Sequence, residues 1–200
     1  GDLGYVEGET HGLIAAYEDV GLNTTAGYYD TFVWQPNSGL GSLDDGLYQL
    51  GNTGTAIGTG RANTWAIINT IGYYEFWDGP YDFQYNAVGA ATAYSVGEWA
   101  DWFLPSRDEL IKLKEWQDLN CQVECPFNSS AICCPWPFLG VAECWSSSEY
   151  DPDTETWDDN GGFPSDGTLT AANSAYGSAG DRIWVWSKLL TLNVRAVRAF

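Results

Sequence analysis

No methionine occurs in the 200 residues, one histidine is present, and eight basic residues stand against 27 acidic ones. Each shortage excludes something. A formal net charge of −19 repels phosphate backbones and anionic membrane surfaces, which excludes nucleic acid as a partner. Cations, neutral glycans, basic surfaces, or further copies of the chain drawn together by divalent ions remain. His11 stands alone, so a Ser/His/Asp or Cys/His constellation would have to be built on it, far in sequence from every cysteine; we expect no enzyme. No window approaches the roughly 18 uninterrupted apolar residues of a membrane span. Without methionine, Gly1 is not a translation start, and we expect that a segment preceding it was removed.

Cysteine is sparse but crowded. Cys121, Cys125, Cys133 and Cys134 fall within fourteen residues, and Cys144 follows. The spacing fits no zinc knuckle and no histidine lies near, so structural disulfides are the better reading. Two bridges leave one thiol over, free or paired between subunits, and the pairing is open. Crowded cysteines with few lysines and many acids point to an oxidising exterior, which makes the removed segment a secretion signal and the chain extracellular or surface-bound.

What the chain has in plenty is aromatic and turn-forming residues: 11 Trp, 12 Tyr, 23 Gly and 8 Pro. That is enough apolar area for a core with some left for a surface, in a chain rich in loops and poor in helix. Two hundred residues suit a single domain spanning 1–200. It carries a cysteine-rich insertion near 117–144 and an acidic, glycine-rich loop near 151–181.

The strongest local instruction lies at 99–116. Pro105 bars a helix from extending back, Ser106 offers an oxygen to the first amides, and Glu109 completes a capping box, so a helix begins at Arg107. Leu110, Leu113 and Trp116 share its apolar face. Trp99, Trp102, Phe103 and Leu104 ahead of it read as core. A second helix is expected over 58–69, with Thr59 as a cap and Ala62, Trp65, Ile68 and Ile71 as the buried face. Ala87 to Tyr94 read as small-residue packing between the two. Tyr5-Val6 and His11–Tyr17 suggest a first hairpin, Cys144–Tyr150 a strand, and Val194–Phe200 a closing strand buried on part of both faces.

Several segments offer candidate sites. Asp151, Asp153, Glu155, Asp158 and Asp159 present hard oxygens at near-alternating positions, as calcium prefers, although Thr156 and Gly162 stand where an EF-hand loop needs glycine and an acid; the other reading is a solvated acidic loop. Asn23-Thr-Thr and Asn128-Ser-Ser are glycosylation-type sequons. Tyr28, Tyr29, Trp34, Tyr73, Tyr74, Trp77, Tyr81 and Tyr85 are suited to stacking on sugar rings or on a neighbouring copy, with core packing as the alternative.

Taken in order, His11-Gly-Leu-Ile-Ala-Ala, Ile57-Gly-Thr-Gly-Arg-Ala-Asn-Thr64, Asp101-Trp-Phe-Leu-Pro-Ser-Arg-Asp-Glu-Leu110, Trp145-Ser-Ser-Ser-Glu-Tyr150 and Val194-Arg-Ala-Val-Arg198 resemble the DUF1566 family, or Lcl C-terminal domain. The resemblance implies an α+β, C-type-lectin-like fold: two helices on a small twisted antiparallel sheet, long irregular loops, and first and last strands paired. It also implies a bacterial surface or secreted protein. The sulfated-glycan binding of the family's name-giving adhesin transfers badly to a chain of this charge, and the cysteine pattern of the fold's sulfatase-modifying enzymes is not visible. Two expectations follow: a self-assembling subunit of an extracellular fibre or layer, or an adhesin module holding a glycan or protein ligand.

Overall fold

Three helices alternate with short antiparallel strands in an α+β fold. The structure, a computed structural model, describes residues 12–16, 19–20, 22–23, 28–29, 31–35, 50–51, 53–72, 74–75, 84–120, 144–149, 170–174, 183–188 and 190–200. In chain order the elements are β1 (Leu13–Ala15), β2 (Leu22–Asn23), β3 (Tyr28–Tyr29), β4 (Phe32–Val33), α1 (Gly60–Ile71), β5 (Tyr74–Glu75), β6 (Gln84–Tyr85), α2 (Ala87–Ala93), α3 (Arg107–Asn120), β7 (Cys144–Glu149), β8 (Thr170–Ser174), β9 (Ile183–Ser187), β10 (Thr191–Leu192) and β11 (Val197–Ala199). Strands β7, β8 and β9 form a three-stranded antiparallel sheet in that order; the rest pair in twos, β1 with β11, β4 with β10, β2 with β3 and β5 with β6. No described helix is long and apolar enough to cross a membrane.

The start of α3 follows from its local sequence. Glu109 N donates to Ser106 Oγ at 3.3 Å and Ser106 N donates to Glu109 Oε2 at 2.7 Å, the reciprocal pair of a capping box. Of the apolar face expected behind it, Leu110 is fully buried, Leu113 is half-buried and Trp116 is exposed.

Helix α1 corrects the expectation for its face. Asn63, Thr64, Ile67 and Ile68 point inward, whereas Ala62 is exposed and Trp65 is 48% exposed. Two polar residues displace the tryptophan because both find partners. Asn63 Oδ1 accepts from Gly54 N at 2.8 Å, and its Nδ2 donates to Gly54 O and to Ser147 Oγ on β7. Thr64 Oγ1 both donates to Leu104 O and accepts from Leu104 N. A paired buried polar group costs little, and the pairing here lies 9 to 84 residues away in sequence. Thr59 does not cap the helix through its side chain. Its hydroxyl donates to Ala56 O and Gly54 O instead. At the other end Gly72 adopts φ 82°, which lets its N–H close on Ile68 O at 2.9 Å.

The helix count is also corrected, from two to three. Residues 87–93 form α2, buried over its first five residues, started by Asn86 Oδ1 accepting from Gly89 N at 2.9 Å. Its Ala and Gly residues allow close approach of the backbone to its neighbours.

The core gathers Trp34, Trp145, Ile67, Val88, Leu104 and Val194 among others. Two tryptophans clasp β4 to β7: Trp34 Nε1 donates to Ser146 O at 2.8 Å, and Trp145 Nε1 donates to Phe32 O at 2.6 Å. At the closing end, Gly12 and Phe200 exchange backbone bonds, and β1 runs against β11 with Leu13, Ile14 and Ala15 opposite Ala199, Arg198 and Val197. The first and last described strands are therefore paired. The regular closing strand is shorter than expected, because Val194, Arg195 and Ala196 are buried outside it. There Arg195 forms an ion pair with Asp19 at 2.5 Å.

Candidate functional site

Three features of the described residues have the makings of a site: a buried charged node, a mixed cleft and an apolar groove.

The node sits where β7 and β9 end. Lys188, wholly buried, donates to Glu149 Oε1 in a very short contact and to Gln35 Oε1 at 3.4 Å, and its ammonium lies 4.6 Å from the centre of the Trp34 ring. Backbone bonds bring the partners together, since Trp34 N and Gln35 N both donate to Lys188 O. Glu149 also accepts from Leu50 N and Gly51 N, each at 2.9 Å, and its own N–H donates to Thr53 Oγ1. Burial holds the Lys188 ammonium below its ordinary pKa, and the Glu149 carboxylate works against that shift. A second carboxylate, Glu109, is buried beneath the arm formed by residues 50–51 and 53–58, whose first two amides Glu149 holds, and it accepts from Gly58 N at 2.9 Å, Ser106 N and Gly60 N. A Cβ on Gly60 would come within 2.7 Å of Ser106 N, so that position stays bare. Neither the node nor Glu109's reach to the arm was foreseen from sequence. The available signal for the node was Lys188, one of three lysines, set one residue behind Ile183-Trp-Val-Trp186.

The cleft, about 470 Å³, lies between α1, α2 and the 100–103 segment, and its walls include Arg61, Trp65, Thr92, Asp101 and Trp102. Asp101 is gripped by Arg198, whose Nε and Nη2 lie 2.7 and 3.2 Å from its oxygens and whose guanidinium stacks 4.0 Å from the Trp99 ring. This contact leaves Trp99 half-exposed rather than in the core where it was expected. The Arg198 hydrogen bond holds the Asp101 carboxyl below its ordinary value. A carboxylate with depressed pKa stabilises the fold above its unfolded value and loses that contribution as pH falls through the folded one. Acidification below 3.8 is therefore expected to loosen the tie between Asp101 and β11, seen as faster amide exchange at Phe103 and Val197, with the Asp101→Asn variant showing no such pH step.

The groove, about 450 Å³, is lined by Leu13, Ile14, Lys112, Leu113, Trp116 and Val197. Leu13, Ile14 and Trp116 are exposed there. Because Gly12 bonds to Phe200 and Ala16 to Ala196, the alternation of an antiparallel ladder turns the backbone groups of Leu13 and Ala15 away from β11. No other described strand pairs with that edge.

The residues singled out from sequence are distributed as follows. Trp34 is not a surface aromatic but a fully buried one, because its ring covers Lys188 and its indole N–H is held by Ser146. Tyr28 pairs with Asn23 across β2 and β3, and Tyr74 with Tyr85 across β5 and β6, so register places each pair together; Tyr29 stands opposite Leu22. Cys144 is buried on β7 against Leu110. Cys121, Cys125, Cys133, Cys134, Tyr73, Trp77, Tyr81, Asn128, His11 and the calcium candidates Asp151, Asp153, Glu155, Asp158 and Asp159 lie outside the described residues. Among the described residues no group of acidic, histidine or cysteine side chains is placed to hold a metal. No protein-family model matches the chain, and no curated protein matches it either.

Proposed function

We propose that this chain is a non-enzymatic, extracellular surface protein of C-type-lectin-like fold, a single domain over 1–200, whose copies assemble into a fibre or layer. The observation that carries the reading is the groove beside the open edge of β1. There, exposed apolar side chains (Leu13, Ile14, Trp116) adjoin outward-facing backbone groups on Leu13 and Ala15. An edge of that kind is a template for strand addition. The occupant proposed is an extended segment of a second copy, which makes the contact heterologous and open-ended. Apolar burial has to overcome the repulsion of a −19 chain, and divalent ions would assist by screening it.

Electron microscopy and sedimentation of the native protein test the reading. Filaments or large assemblies are expected, with Trp116→Glu shifting the population to monomer by at least tenfold in the concentration needed for assembly, because a charge would enter the apolar groove. A monodisperse monomer at every concentration, with or without calcium, would overturn it. The second reading, an adhesin module, is favoured by the cleft, where the half-exposed Trp65 shares the lining with the charged Arg61 and Asp101. Retention of such a monomer on a glycan column would support it.

A further inference from the structure

Lysine is the cation least suited to burial, yet Lys188 has no exposed surface at all. Its surroundings go beyond those of an ordinary ion pair. A carboxylate and a primary amide, Glu149 and Gln35, both reach the same Nζ, all three side chains are buried, and the Trp34 ring lies against the ammonium. An amine, an amide carbonyl and a proton carrier held together away from water are the components of an acyl transfer.

We propose that Lys188 and Gln35 form an intramolecular isopeptide bond, with Glu149 carrying the protons. Glu149 takes one proton from the ammonium. The freed lone pair of Nζ then forms a bond to the amide carbon of Gln35, and the electrons of the C=O bond move onto Oε1. Glu149 returns its proton to the amide nitrogen of Gln35. The old C–N bond breaks, the carbonyl re-forms, and that nitrogen leaves as ammonia with the bonding pair. The proton still in excess on the former lysine nitrogen passes through Glu149 to the ammonia. Products are a secondary amide, ammonium and a regenerated carboxylate; no oxidant, reductant or further reactant is used.

The geometry supports each role. The backbone bond from Gln35 N to Lys188 O at 3.3 Å fixes the two residues side by side, so the reacting side chains start from adjacent main chain. Glu149 is itself anchored by Leu50 N and Gly51 N, which leaves it positioned rather than mobile. Burial lowers the cost of releasing the proton from Lys188. The bond would weld the end of β4 to the end of β9. It is independent of the assembly reading, since it lies inside one copy.

The intact mass of the full chain, reduced to remove any contribution from cysteines, decides the matter. The expected mass is that of the sequence less one ammonia, with a cross-linked peptide joining the segments that carry Gln35 and Lys188. A mass equal to that of the unmodified sequence overturns the proposal and leaves a buried ion pair. Loss of water instead of ammonia would place the bond between Lys188 and Glu149 and would overturn the assignment to Gln35. So would an ammonia loss that maps elsewhere. Glu149→Gln is expected to keep the full mass; a variant that still forms the same cross-link would overturn the role given to Glu149.

Discussion

Glu109→Ala is expected to destabilise the protein by roughly 2–6 kcal/mol, because the amide groups of buried Gly60 and Ser106, together with that of exposed Gly58, lose their common acceptor at once. Folded domains hold only about 5–15 kcal/mol in total, so the variant should populate unfolded chain at ambient temperature. Urea unfolding followed by tryptophan fluorescence measures it. An effect below about 1 kcal/mol, the ordinary cost of losing a helix cap, would mean that Glu109 caps α3 and does nothing more. The pH dependence supplies a second check. Burial raises the Glu109 carboxyl above 4.5. A raised acid binds its proton more tightly in the folded than in the unfolded state, so its contribution is fullest below the unfolded value and declines as pH rises through the folded one. That decline should be absent from Glu109→Ala.

Trp34→Ala is expected to cost about 3–5 kcal/mol or more, the range for deleting a large buried aromatic. It sits at the upper end because the Lys188 ammonium loses the ring above it and Ser146 O loses its donor. Trp65→Ala serves as the control. Its side chain is half-exposed, and a change within about 0.5 kcal/mol is expected. Thermal melts of the two variants should therefore differ widely although the chemical change is the same. Equal losses would mean that α1 presents the opposite face to the core.

The contrast between these tryptophans marks what sequence can reveal. The capping box of α3 was legible because Pro105, Ser106 and Glu109 are neighbours and their bonds reach three residues. The pairing of β1 with β11 was legible only through the resemblance of both ends to one family, since the partners stand 186 residues apart at Leu13 and Ala199. The inward face of α1 was not legible. Periodicity favoured Trp65, but Asn63 and Thr64 took the interior by bonding to Ser147 and Leu104, contacts that only the folded chain creates. Helix α2 escaped notice for a different reason. Seven small residues carry no amphipathic signal, and Asn86 alone announces the start. Nor did the sequence announce the node at Lys188, whose three partners are scattered from residue 34 to residue 149.

The arm at 50–51 and 53–58 carries one more lesson. Its main-chain amides are held by Glu149 and Glu109, and the carbonyl of Gly54 receives donors from Asn63, Ser148 and Thr59. The grip falls mostly on peptide groups, so the exposed side chain of Ala56 is left without a duty in holding the arm. The shape of this loop thus rests partly on residues elsewhere in the chain and partly on its own Thr53 hydroxyl and the positive φ of Gly51 and Gly58, while Ala56 is open to drift without disturbing the course of the backbone beneath.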